Sequence, residues 1–326
     1  MTPADEPALD DDTTARLFEV RAQWVRNHTW TWLTLAAGLA LSAWMWRGAP
    51  VVGLAVGAAM LVGGWQTAAR GSQPGHAWIV AARRLLTDEP WRETPATVLA
   101  TRGTVLALPG GEHVRVYGLD APARDVVVRA GRVRVVGPDA SGWLAVRVDG
   151  LHTPWPAKVV SPVRAGPASP SAEPVVAAWG RHVVGAARGD LAFAVLLAVG
   201  MLVATVLLGE WVFAAVAAAG GVVVAAVLGL RLRKAVRLCG ASNWRRATVV
   251  RTSWTTRQYG TADGTVELAF PDGHRYTAEL VGVPVDLLAT AWREETLWVA
   301  DGGVVGFPDY PLAAFATFTP VTAPVS

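Results

Sequence analysis

Four long stretches of the chain carry no formal charge, and they fall into two adjacent pairs: Asn27 to Trp46, Gly48 to Ala69, Leu191 to Gly209 and Trp211 to Leu230. Charged residues bound them at Arg26, Arg47, Arg70, Asp190, Glu210 and Arg231. About 20 residues at a rise of 1.5 Å cross a hydrocarbon core of roughly 30 Å, so each stretch has the length of a membrane span. Only Arg47 or Glu210 separates the members of a pair, which predicts two tight helical hairpins. The composition agrees: 17% of residues are charged and 52% hydrophobic, against about 25% charged in an ordinary soluble domain.

The chain also reads as two copies of one unit. Trp91-Arg92 and Trp244-Arg245 each follow a hairpin by the same distance from an upstream arginine, Arg84 or Arg237. Ala96-Thr97-Val98 then matches Ala247-Thr248-Val249. Gly103-Thr104-Val105 leading to Pro109-Gly110-Gly111 matches Gly264-Thr265-Val266 leading to Pro271-Asp272-Gly273. Short Val-rich runs of period two, separated by Gly, Pro and Asp turns, predict five or six strands per copy and a small barrel, which leaves no open edge. The expected fold class is an α+β membrane protein: four transmembrane helices in two hairpins, each hairpin followed by an all-β barrel-like domain. The expected segments are an acidic disordered tail (1–12), an amphipathic helix with the first hairpin (13–90, spans about 29–46 and 49–69), a β-domain (91–164), a linker (165–174), the second hairpin with flanking helices (175–243, spans 191–209 and 211–230) and a second β-domain (244–320).

Charge near the spans predicts their orientation. Arg16, Arg21 and Arg26 precede the first, Arg70, Arg83 and Arg84 follow the second, and Arg181 and Arg188 precede the third. Both termini and both β-domains are therefore expected on the cytoplasmic side of a bacterial plasma membrane. The acidic start (Asp5, Glu6, Asp10, Asp11, Asp12) opposes a signal peptide, whose first region is positive. After the fourth span stand Arg231, Arg233, Lys234, Arg237, Arg245 and Arg246 with no acid among them. This patch is the candidate contact for anionic lipid headgroups, each charge contributing about 1 kcal/mol near the surface. A protein partner comes second and nucleic acid last.

Catalytic patterns are missing from the sequence. No Asp, Glu, Lys or Arg lies inside a span, where pathways for ions or substrates usually place an ionisable group. Small residues at spacing four, such as Ala194/Ala198 and Ala217/Gly221, mark close helix packing instead. The histidines at 28, 76, 113, 152, 182 and 274 form no metal-ligand pair, and Cys239 is the single cysteine. No nucleophile elbow, phosphate loop or dinucleotide fingerprint is present, so no cofactor, metal or catalytic residue is predicted. Glu112, His113, Arg115 and Asp120, and likewise His274, Arg275 and Glu279, read as solvated strand edges.

With its Trp-Arg…Ala-Thr-Val and Pro-x-Gly elements, the chain resembles in layout the bacterial membrane proteins of quality control that join a transmembrane hairpin to a small cytoplasmic β-barrel. In composition it is similar to actinobacterial multi-pass membrane proteins. The resemblance implies an architecture and no functional residue. The leading expectation is a non-enzymatic scaffold or regulator whose β-domains bind a protein partner. Two readings stay open beside it: a subunit of an oligomeric transporter or channel, and a membrane-bound enzyme.

Overall fold

A computed structural model of the chain describes residues 6–45, 53, 57, 76–101, 103–207, 211–257 and 260–321. The chain divides into a β-rich body (Met1–Val25, Gln73–Trp179 and Leu238–Ser326) and a helical unit (Arg26–Ser72 and Gly180–Arg237). The body begins with a 3-10 turn at Ala8–Asp10 and the first turns of helix α1 (Asp12–Met45). Helix α2 (His76–Asp88) follows, then strands β1 (Arg92–Pro95), β2 (Thr97–Leu99), β3 (Thr104–Ala107) and β4 (His113–Val116), helix α3 (Ala121–Ala130), and strands β5 (Arg132–Val136), β6 (Trp143–Val148) and β7 (Leu151–Val160). The helical unit is built on α4 (Val175–Leu207) and α5 (Trp211–Cys239). The second β-module comprises β8 (Arg245–Thr256), β9 (Thr261–Ala269), β10 (Arg275–Pro284), helix α6 (Val285–Glu294), β11 (Thr296–Ala300), β12 (Val304–Phe307) and β13 (Leu312–Pro320).

The two modules share one topology. In the first, the sheet order is β1-β5-β6-β7-β4-β3-β2. Its outer strands β1 and β2 are consecutive in the chain with only Ala96 between them, so the sheet curls round until one kinked strand closes it. The second is a closed barrel of order β10-β13-β12-β11-β8-β9. Equating β8 with β1 and β2 together makes the cyclic orders identical, with a helix between the third and fourth strands of each. The registers agree residue by residue: Arg92 pairs with Val135 and Arg245 with Val299, each partner being the fourth residue of its strand. Helix α3 was not legible as a period. Its ends are nonetheless well formed: the Asp120 carboxylate accepts from Ala123 N at 2.9 Å, Pro122 sits in the first turn, and Gly131 ends the helix at φ 64°.

The modules are not independent beads. Leu144, Val146 and Leu151 of the first lie in one hydrophobic core with Leu268, Leu280 and Leu288 of the second, and Leu17 of α1 joins them. Thr290 Oγ1 of α6 donates to Gly150 O at 2.8 Å across the junction. A second cluster seats α2 and α1 on the first module, with Trp78 and Phe18 edge to face at 6.1 Å and Trp78 Nε1 donating to Leu144 O at 3.0 Å.

Three expectations need correction. Residues 6–12 are not a solvated tail: Ala8 is buried and its N–H donates to Glu89 O at 3.0 Å, while Asp11 is tied into the body by arginines. Residues 1–5 lie outside the described residues. The segment 165–174 is not a free linker either. It pairs along β2, with Ala100 N donating to Gly166 O at 2.9 Å and Ala168 N to Val98 O at 2.7 Å, and so covers that strand's edge.

The third correction concerns the four spans. Among the described residues one helical segment, Val175–Gly200, is long and apolar enough to cross a membrane. Freedom from charge proved a looser criterion than apolarity: Asn27 to Trp46 also holds His28, Thr29, Thr31, Thr34 and Ser42. The second expected span, 49–69, lies outside the described residues apart from Gly53 and Gly57. In the helical unit, α4 and α5 touch at small residues, since a Cβ built on Gly221 would come within 2.7 Å of Ala198 Cβ.

Candidate functional site

The junction of the two modules and α1 concentrates buried charge. Asp11 Oδ2 lies 3.3 Å from Arg147 Nη1 of β6 and 3.1 Å from Arg293 Nη1 of α6, and it accepts from Thr14 Oγ1 at 2.9 Å. Burial pushes the Asp11 carboxyl up, but the Thr14 hydroxyl, Arg293, Arg147 and the Thr13 N–H together hold it below its ordinary value. Burial lowers Arg147 to about 10, helped by Arg293 and Arg134 and opposed by Asp11. Nearby, Asp286 accepts from Thr153 N at 2.9 Å and Thr153 Oγ1 at 2.6 Å. Burial raises the Asp286 carboxyl in spite of those bonds and of Arg21, whose guanidinium lies 4.6 Å from the Trp155 ring centroid. His152 is 3% exposed, and neither ring nitrogen has a hydrogen-bond partner. These groups knit α1, β6, β7 and α6 together. They read as a joint.

A cleft of about 360 Å³ opens at one end of the second barrel. Its wall is aromatic. Phe270 and Tyr276 meet edge to face at 5.8 Å, and Tyr276 and Phe318 at 6.4 Å. His274 stacks on Tyr276 at 6.5 Å, and its Nδ1 stands 3.1 Å from Asp272 Oδ1. The backbone N–H of His274 holds the Asp272 carboxyl below its ordinary value, assisted by the His274 ring and by Arg245. On the opposite rim, Asp301 Oδ2 accepts from Asn243 Nδ2 at 2.6 Å. Local sequence explains the shape: Gly273 at φ 85° and Gly302 and Gly303 near 75° let two hairpins turn tightly at the mouth.

Arg245 is the cleft's distinctive group. Its guanidinium lies 5.7 Å from the Phe270 ring centroid, and among the described residues its side chain makes no hydrogen bond or ion pair. The equivalent arginine of the first module is satisfied internally: Arg92 Nη2 donates to Gly137 O and stands 3.8 Å from Glu89 Oε2. The aromatic wall is likewise confined to the second copy. By strand register, Phe270, Tyr276 and Phe318 occupy the places of Leu108, Val114 and Ala157.

The predicted basic patch is divided. Arg231, Arg233, Lys234 and Arg237 are exposed on the last turns of α5 in the helical unit, whereas Arg245 and Arg246 open β8 in the body. These two neighbours point to opposite faces of the strand: Arg245 lines the cleft, and Arg246 Nη2 donates to Thr296 Oγ1 at 3.3 Å. Sequence reading noted His274 but passed over Phe270, Tyr276 and Phe318. Aligning the copies strand by strand would have found them, as aromatic residues replacing aliphatic ones. Among the described residues no group of His, Cys, Asp or Glu is placed to hold a metal ion.

No known protein family, curated protein or solved structure matches the chain.

Proposed function

We propose that the protein is a membrane-anchored, non-enzymatic scaffold or regulator whose β-rich body binds a partner at the mouth of the second barrel. The observation that carries this reading is the asymmetry between copies. Two modules of one topology differ at one end: in the second, Arg245, Phe270, Tyr276 and Phe318 line a cleft, where the first has Leu108, Val114, Ala157 and an internally bonded Arg92. Aromatic side chains and arginine are the residues most enriched at the energetic centres of interfaces.

Anchoring is supported by the surface of the helical unit. Leu196 (71% exposed), Val222 (69%) and Val223 (63%) project from α4 and α5 with Val199, Val203 and Leu230 also exposed. An apolar surface this extensive is rarely left facing water. The basic last turns of α5 fit a cytoplasmic membrane face, where anionic headgroups would meet Arg231, Arg233, Lys234 and Arg237.

Because the modules share a core, deleting either would unfold the other, and partner recovery has to be tested by point placement. A photo-cross-linking residue at His274 or Asp301 in the full chain should capture a reproducible partner in the membrane fraction. The same residue at Ser141, exposed on the first module, should not. Capture of nothing, or of the same species from all three positions, would remove the reading.

A further inference from the structure

We infer that the cleft of the second barrel is a receptor for a carboxylate borne on an aromatic or large apolar group. The inference rests on the proposed binding role and names the chemistry of what is bound. Among the charged groups at the cleft, the acids are engaged: Asp272 with the backbone and ring of His274, Asp301 with Asn243. Among the described residues Arg245 makes no side-chain hydrogen bond, and its guanidinium lies at the cleft wall, 5.7 Å from the Phe270 ring centroid. A guanidinium presented in this way matches the two oxygens of a carboxylate through parallel hydrogen bonds. Beside it, Tyr276 and Phe318 offer ring edges and faces to a flat or branched apolar group. The volume, about 360 Å³, suits one such group with its acid.

The neighbouring acids set the sign and size of the ligand's charge. With Asp272 and Asp301 lining the cleft beside Arg245, the site opposes a phosphate dianion more strongly than a carboxylate monoanion. A second cavity, of about 330 Å³ between the first turn of α1 and β8, also has an arginine on an aromatic ring, Arg16 over Trp254 at 5.5 Å. There Asp12 stands one turn before Arg16 on the same helical face. The carboxylate chemistry has two sources: a free aromatic acid, or the C-terminal residue of a partner chain.

Calorimetric titration of the full chain in detergent tests this with 3-phenylpropionate, the peptide acetyl-Ala-Ala-Phe with a free carboxylate, its C-terminal amide, and phenyl phosphate. The expected result is saturable binding of at least one carboxylate, weakened about tenfold or more in the amide and in Arg245→Gln. Arg245→Lys should fall between, and Tyr276→Leu should weaken binding with the thermal midpoint unchanged. Binding of the peptide alone assigns a chain terminus, and comparable binding of both acids assigns a small ligand. Absence of binding for both acids at about 10 mM, an amide that binds as well as its acid, or tighter binding of phenyl phosphate would overturn the inference. The amide comparison holds even if a variant fails to fold. A partner captured by cross-linking without any acid binding would leave the proposed function standing and remove this one.

Discussion

His152 places two ring nitrogens in the joint between the modules with no hydrogen-bond partner, facing Arg147 and Arg293 as well as Asp11. Burial, reinforced by the two arginines, pushes its pKa down to about 3. A histidine whose folded pKa lies below its unfolded value favours folding fully above pH 6.5, and that contribution is lost as pH falls from 6.5 toward 3. Over that window stability should decline by at most about 1.4 kcal/mol per pH unit from this group. Chemical denaturation across the range should show the slope, and His152→Leu should flatten it while leaving stability at pH 7 equal or slightly higher. Asp11 acts in a lower window. Its depressed carboxyl stabilises the fold above the unfolded value near 3.8, and this is lost as pH falls through the folded value. Asp11→Ala strands Arg147, 4% exposed, without its carboxylate, and should cost about 3 kcal/mol. A midpoint unchanged in urea would show that Arg147 finds another partner.

Among the elements, the α4–α5 contact supplies its own control. A side chain at Gly221 must displace Ala198, because a Cβ there stands 2.7 Å from Ala198 Cβ, whereas at Gly220 nothing lies within 4 Å. Gly221→Ile should therefore destabilise the helical unit by about 1–3 kcal/mol in detergent, and Gly220→Ile should not. Equal thermal midpoints for the two variants would refute this packing. Sequence spacing had named both Ala198 and Gly221 as small packing positions, and they meet because α4 and α5 run as a close pair. Strands and turns were legible for the same kind of reason: period two and Pro-x-Gly act within a few residues. Helix α3 was not, because Val126 to Val128 is a β-branched run. Its helical state is decided by the Asp120 cap, Gly131 and the core beneath Val127.

For the whole molecule, one core spanning both modules predicts one cooperative unfolding transition for the β-rich body. Calorimetry of the full chain should show the modules melting together, and Leu288→Ala in the second should lower the transition of both by about 2–5 kcal/mol. Two separable β transitions, only one of them shifted, would refute the shared core. The candidate cleft is likewise a product of tertiary structure. Its residues come from β8, β10, β11 and β13 and from the turns after β9 and β11, and no local window of sequence places Arg245 beside Phe270 and Phe318.

By itself the sequence determined the duplication, the strand-rich character of each copy, the apolar segment now placed in α4 and the basic residues beyond it. These are set by local composition and periodicity, which act over a turn of helix or a pair of strands. Tertiary structure alone decided that the β-modules share a core, that Asp11 belongs to a buried joint, that residues 165–174 cover a strand edge, and which arginine is left uncommitted. Each of those depends on which distant partner satisfies a charge or a backbone group. Two copies of one pattern, Trp91-Arg92 and Trp244-Arg245, show the difference most directly: the same dipeptide gives an internally bonded arginine in one barrel and an open one in the other.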